Sequence, residues 1–164
     1  MRKKVVGVMG PGSGATAQDE ARAEQLGQGI AQRGWVLLTG GRKSGVMEAA
    51  SRGAREAGGL VVGVLPGPDD AGVSPHVDLV IRTDLGHGRN NVNVLSSDIV
   101  IACGLGLGTT SEVALAAKNG KRVLLLAEDA AGRDFLTGLA PEWIEAVDSP
   151  EEALSRAEAF LTPP

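Results

Sequence analysis

Six short apolar runs recur along the chain, and helix-length stretches separate most of them; this alternation narrows the fold more than any other feature. The runs are Lys4–Met9, Trp35–Thr39, Leu60–Leu65, Val77–Arg82, Asp98–Cys103 and Arg122–Ala127. They are nearly continuous in Val, Ile and Leu rather than alternating, so both faces of each strand are expected to be buried. Between the first two, Ala21, Leu26 and Ile30 recur at helical spacing, and further helices are expected over 46–57, 89–96 and 110–119. Ile144–Val147 reads as a seventh strand. After it, Ser149, Pro150 and Glu152 form a capping box with proline at the first helical position. Buried strands separated by helices predict an α/β domain, doubly wound, with a mostly parallel sheet of six to seven strands and helices on both faces. No linker, repeat or low-complexity segment divides residues 1–164, so one domain is expected.

Composition agrees and removes several functions. The chain has 24 glycines among 164 residues, is 43% hydrophobic and lacks tyrosine, as suits Val/Ile/Leu strands, Ala-rich helices and glycine turns. A net charge of −4, with no basic cluster interleaved with aromatics, argues against a nucleic-acid partner. One cysteine forms no internal disulfide, and no Cys/His group has zinc-ligand spacing, so no metal site is expected. The apolar run Val5–Met9 is too short for a secretion signal, and nothing approaches the roughly 20 apolar residues of a membrane span. A soluble, cytoplasmic protein with no membrane partner is expected.

The glycines cluster at the carboxyl ends of strands, where open parallel sheets bind ligands. Gly10–Ala15 follows the first strand, Gly40–Gly45 the second and Gly104–Thr110 the fifth, and a helix follows each. Tight βα turns need glycine whatever they bind. Three such turns on one edge, the last running into Thr109, Thr110 and Ser111, favour an anion site, because helix N-termini present free N–H groups. Gly10–Ala15 fits the dinucleotide fingerprint, yet the second strand ends Thr39-Gly40-Gly41-Arg42 with no carboxylate for a ribose, which disfavours NAD. No Walker-type GxxxxGK[ST] sequence occurs.

From about Val5 to Leu126 the chain resembles the Lonely Guy (LOG) and "lysine decarboxylase-like" superfamily. "TGGRKSGVMEAASRGAREAGGLVVGVLPG" is similar to its G-G-x-x-x-G-[LV]-M segment, helix and V-x-G-V-[IL]-P strand, and "GLGLGTTSE" resembles P-G-G-x-G-T-x-x-E. The resemblance implies a Rossmann-like fold and homo-oligomers, dimers or tetramers. Lysine decarboxylase activity is not expected, since no pyridoxal-site signature is visible.

Two branches compete. LOG enzymes are phosphoribohydrolases that cleave the N-glycosidic bond of cytokinin nucleoside monophosphates or AMP. Arg89 and Glu112 match their catalytic pair, but Asn90 stands where LOG has Lys, and Gly104-Leu105 where it has Pro-Gly. The short length, "VGVMGPGSG" and "GLGLGTTSE" are closer to proteins resembling molybdenum cofactor carriers, which hold a phosphate-bearing pterin without turnover. That branch implies a small phosphorylated ligand, with molybdenum cofactor or molybdate as cargo and no cofactor needed for folding. On this reading the amides of Gly106, Gly108 and Thr109 hold phosphate beside the Thr110 and Ser111 hydroxyls. Gly12, Ser13 and Gly14 close one side, Gly40 and Gly41 form the floor, and Arg89 supplies charge.

Several residues carry two readings. Glu112 is expected in the first turn of its helix, where the helix dipole alone favours a carboxylate, or it faces the ligand. Arg89 caps a helix, or grips phosphate or carboxylate through a bidentate contact. His87 touches ligand or serves the turn, and the sequence leaves both open. Cys103 and Met47 read as core, and Arg42 and Lys43 as solvated charges or anion partners.

Overall fold

The computed structural model describes residues 1–162. β1 (Val5–Met9), β2 (Val36–Thr39) and β3 (Leu60–Leu65) are linked by α1 (Ala17–Gln32) and α2 (Gly45–Glu56). β4 (Leu79–Arg82) runs through a 3₁₀ turn at Gly86–Gly88 into α3 (Arg89–Ser96). β5 (Ile99–Cys103), α4 (Leu107–Lys118), β6 (Val123–Leu126), α5 (Ala130–Leu139), β7 (Ile144–Ala146) and α6 (Pro150–Leu161) complete the order. All seven strands are parallel in one sheet, ordered β4-β3-β2-β1-β5-β6-β7. No helix among the described residues is long and apolar enough to cross a membrane.

Alternate residues of each strand feed opposite layers, as the period of two requires. Ile99, Ile101, Leu124 and Leu126 pack under α1, α2 and α6, with Leu26, Ile30, Ala50 and Leu154. Val100, Ala102, Val123 and Leu125 pack on the other face with Val94 of α3, Val113 of α4 and Leu136 of α5. Fully burying each such side chain contributes about 1.5–3 kcal/mol. The expectation of two buried faces holds for the central strands and fails at β4. That strand pairs only with β3 at the sheet edge, and its Leu79 and Ile81 are 53% and 43% exposed.

α1 and α2 touch backbone to backbone. A Cβ on Gly27 would collide with the carbonyl oxygen of Ala50, and one on Gly53 with that of Glu24. Glycine at these helix-interior positions sacrifices propensity for close approach.

Three local readings need correction. α5 has no counterpart in the sequence expectations: Leu136 is its one buried residue, while Phe135 and Leu139 are each 66% exposed, so little of its apolar surface reaches the sheet. α4 begins at Leu107 rather than at Thr110, because Gly106 is already its extended N-cap. At α6 the Ser149 hydroxyl accepts from the Glu152 N–H (3.1 Å), but the Glu152 carboxylate accepts from Asp148 N–H (2.9 Å) rather than from Ser149. A reciprocal box exists instead at α1, between Thr16 and Asp19.

Candidate functional site

β1 pairs with β2 on one side and β5 on the other, so strand order reverses there and the carboxyl ends of the two halves splay apart. A cavity of about 380 Å³ opens at this point. Four segments build it: the turn after β1, the turn after β2, the start of α3 and the start of α4.

The α4 end is the most telling. Gly106 has no side chain to cap the helix, and the first intrahelical bond is Thr110 N–H to Gly106 O (2.8 Å). The N–H groups of Leu107, Gly108 and Thr109 find no partner among the described residues. Side chains close three of the helices, Thr16 at α1, Asp129 at α5 and Ser149 at α6, whereas α2, α3 and α4 have no side-chain cap. The start of α4, on the cavity wall, thus keeps its amides open, with the positive dipole end toward whatever enters. Thr109 is buried, and its hydroxyl likewise makes no bond among the described residues. Opposite lie Gly12, Ser13 and Gly14; a Cβ on Gly12 would press on the Ser44 hydroxyl at 3.0 Å.

Arg89 opens α3 and reaches back across the ends of β2 and β3. Its Nη1 donates to Gly40 O (2.7 Å) and Val64 O (2.9 Å), and its Nε donates to Asn90 Oδ1 (3.0 Å). Of the guanidinium nitrogens only Nη2 keeps its hydrogens free of the described residues, so the bidentate anion grip expected from the sequence is closed to it. Asn90 in turn donates to Ser111 Oγ (3.1 Å), which donates to Gly108 O (2.6 Å). This chain fixes α3 against the first turn of α4. Burial lowers the Arg89 pKa, with the charge of Arg42 adding to it and that of Glu112 opposing it.

Glu112 sits in the second turn of α4, not the first, because the helix starts three residues earlier than expected. Dipole stabilisation falls off within the first turn, so this reading of Glu112 loses its basis. The side chain is 7% exposed and lines the cavity. Its Oε2 accepts from Asn93 Nδ2 (3.0 Å), while Oε1 has no partner among the described residues. Burial pushes its pKa up to about 7, against the Asn93 hydrogen bond and the Arg89 charge, which favour ionisation.

Gly12, Ser13, Gly14, Gly40, Arg89, Gly106, Gly108, Thr109 and Glu112 therefore surround one cavity. Gly41, Thr110 and Ser111 lie off its lining. Gly41 (φ +76°) packs on Gly63, and Ser111 is exposed. Arg42 and Lys43 also lie off the lining: their backbones pair with Gly72 and Val73, and the Arg42 guanidinium lies beside Gly72. His87 lines the cavity, as does Met47, which the sequence assigns to the core. Cys103 is buried as expected, and burial pushes its thiol up to about 12. Sequence reasoning passed over Asn93 as a site residue. The signal was present, since Asn93 lies four residues after Arg89 and so shares its helical face.

Chemically, the cavity offers an oxyanion free amides, a hydroxyl and one guanidinium nitrogen, beside a carboxyl that changes charge near neutrality.

Solved structures share this fold over nearly the whole chain. The molybdenum cofactor binding protein of the phototrophic bacterium Rippkaea orientalis superposes with a TM-score of 0.97 at 53% identity, covering 99% of both chains. The molybdenum cofactor carrier protein of Chlamydomonas reinhardtii gives 0.91 at 44% identity, covering 98% of this chain and 99% of that one. Among curated sequences, a probable cytokinin riboside 5′-monophosphate phosphoribohydrolase of Oryza sativa is 30% identical over 188 aligned positions, spanning 99% of this chain and 74% of the rice protein. The sequence profile of the SLOG cluster4 family matches residues 3–158, and with that span covered the chain belongs to this family.

Proposed function

We propose that this protein is a cytoplasmic binding protein of the molybdenum cofactor carrier type, holding a phosphate-bearing pterin in the switch-point cavity without breaking it. The observation that carries this reading is the uncapped α4 N-terminus, whose Leu107, Gly108 and Thr109 N–H groups open into the cavity. The whole-chain likeness at 44–53% identity to proteins named for molybdenum cofactor supports it. Phosphate sits on these amides and the Thr109 hydroxyl, with Gly12–Gly14 over it, and the remainder of the ligand extends toward Gly40, Met47 and Arg89. The cargo supplies the chemistry for its eventual acceptor; this chain's residues bind and shield it. A homo-oligomer, dimer or tetramer, belongs to the same proposal, and sedimentation of the purified protein checks it.

The rival is a nucleotide phosphoribohydrolase, favoured by one observation: Arg89 and Glu112 line the same cavity. Against it, Asn90 stands at the LOG lysine position and ties down Arg89 Nε, leaving the arginine little freedom to follow a reacting sugar. The test is to incubate the protein with molybdenum cofactor freed anaerobically from a donor enzyme, and separately with AMP and cytokinin riboside monophosphates. Retention of intact cofactor through gel filtration, with no free base released, is expected. Sustained base release that vanishes in Glu112→Ala would overturn the carrier reading.

A further inference from the structure

One group in the cavity sits awkwardly with an anionic ligand. Glu112 lies one helical turn beyond the open amides of α4, and a carboxylate there would repel a phosphate held on them. We propose that Glu112 meets the bound anion as a neutral carboxyl, donating a hydrogen bond to a ligand oxygen, so that capture of the ligand draws one proton from solvent. This deepens the carrier reading and rests on it.

The geometry points this way on three counts. Asn93 is 1% exposed and pins Glu112 Oε2 through its Nδ2 (3.0 Å), so the carboxyl cannot swing out to water when an anion arrives. The opposite oxygen, Oε1, has no protein partner and belongs to a residue that lines the cavity. The buried Asn93 Oδ1 likewise has no donor among the described residues, so the surroundings of Glu112 are short of hydrogens rather than of acceptors. The charged and titratable groups facing the cavity are few. Arg89 comes from the start of α3 and His87 from the 3₁₀ turn before it. β1 and its turn contribute Val8, Met9 and Gly10–Gly14, α2 contributes Met47, and none of these is charged. Arg89 is thus the one fixed positive charge on the lining among the described residues, with Arg42 acting on it from outside, and a phosphate monoester of charge near −2 outweighs it.

Burial already raises the Glu112 carboxyl to about 7, so the free site is half protonated at neutral pH and the occupied site fully so. Binding at pH 7 then takes up on the order of 0.5 proton. The bond is an ordinary hydrogen bond from Oε1–H to a ligand oxygen, and no covalent bond changes.

The test is isothermal titration of the protein with molybdenum cofactor, and with GMP as a stable phosphate ester, at pH 7 in two buffers of different ionisation enthalpy. Net proton uptake by the native protein is expected. It should exceed that of Glu112→Gln, whose amide still donates to the ligand while carrying no proton to exchange, by on the order of 0.5 proton. Relative to that variant, native affinity should fall about tenfold between pH 6 and pH 8. The ratio to the variant removes the ionisation of the ester and of His87. Binding with no more uptake than the variant shows overturns this inference and leaves the carrier reading standing. Failure of both probes to bind the native protein overturns the two together.

Discussion

At the scale of single residues, Glu112 and Arg89 set the character of the cavity. A carboxyl whose folded pKa of about 7 exceeds the 4.5 of an open carboxylate binds more protons folded than unfolded between those values. Stability is therefore lost as pH rises from 4.5 to about 7, and the full cost persists above it. Glu112→Gln is expected to stabilise the empty protein at pH 8 by roughly 2–3 kcal/mol and to leave it little changed at pH 4.5. Urea denaturation at the two pH values measures this; equal shifts at both would contradict it. Arg89 has a different weight, because its guanidinium satisfies the carbonyls of Gly40 and Val64 before any ligand arrives. Arg89→Ala is expected to strip both of their buried donors and destabilise the fold by about 2–4 kcal/mol. Thermal melts of the ligand-free protein would show it, whereas a residue devoted to ligand alone would leave the melt unchanged.

At the scale of elements, the open end of α4 is the feature that a sequence reader could see and a helix designer would close. Gly106 is extended, with φ −158° and ψ 178°, and a Cβ there meets nothing nearer than Pro11 Cγ at 3.7 Å. Gly106→Asp should therefore fit, cap the helix, and raise stability by about a few tenths of a kcal/mol. The same carboxylate would occupy the amides and repel phosphate, so ligand affinity should drop at least a hundredfold. A melt that rises while binding persists would show that the anion sits elsewhere. Gly27→Ala and Gly53→Ala test the other close approach. Each should force α1 and α2 apart and cost about 1–3 kcal/mol, although alanine is the better helix former.

The strands, their parallel order of winding and the three glycine turns were legible because buried strands and βα turns leave patterns in composition. α5 was not, since Gly132 and Gly138 within ten residues weaken the helical signal that Ala131, Phe135 and Leu139 carry. The start of α4 was misplaced because Leu107, 95% exposed, and Gly108 give no helical signal. Arg89 was recognised as a site residue, yet its carbonyl partners lie 49 and 25 residues away in the chain, and only the folded sheet brings them together.

At the scale of the whole molecule, the seven strands splay at one point, and the ligand is expected to bridge the two halves there. α3 and α4 cover one sheet face, α1 and α2 the other, and the β1 turn lies between them. Occupancy should then stabilise the fold as a unit by mass action, about 2.7 kcal/mol at a hundred times Kd. For a chain of this size that corresponds to a rise of roughly 5–10 °C in Tm. A single cooperative transition that moves with GMP or molybdenum cofactor concentration is expected in differential scanning fluorimetry.

Cys103 gives this arrangement a last property. The one sulfhydryl in the chain is fully enclosed at the end of β5, its Sγ against the carbonyl oxygen of Asp19 at 3.4 Å, and held almost entirely un-ionised at neutral pH. A guest with oxidisable sulfur atoms finds no thiolate on its host to trade disulfides with. Disulfide exchange between this protein and any thiol-bearing ligand is therefore closed at neutral pH.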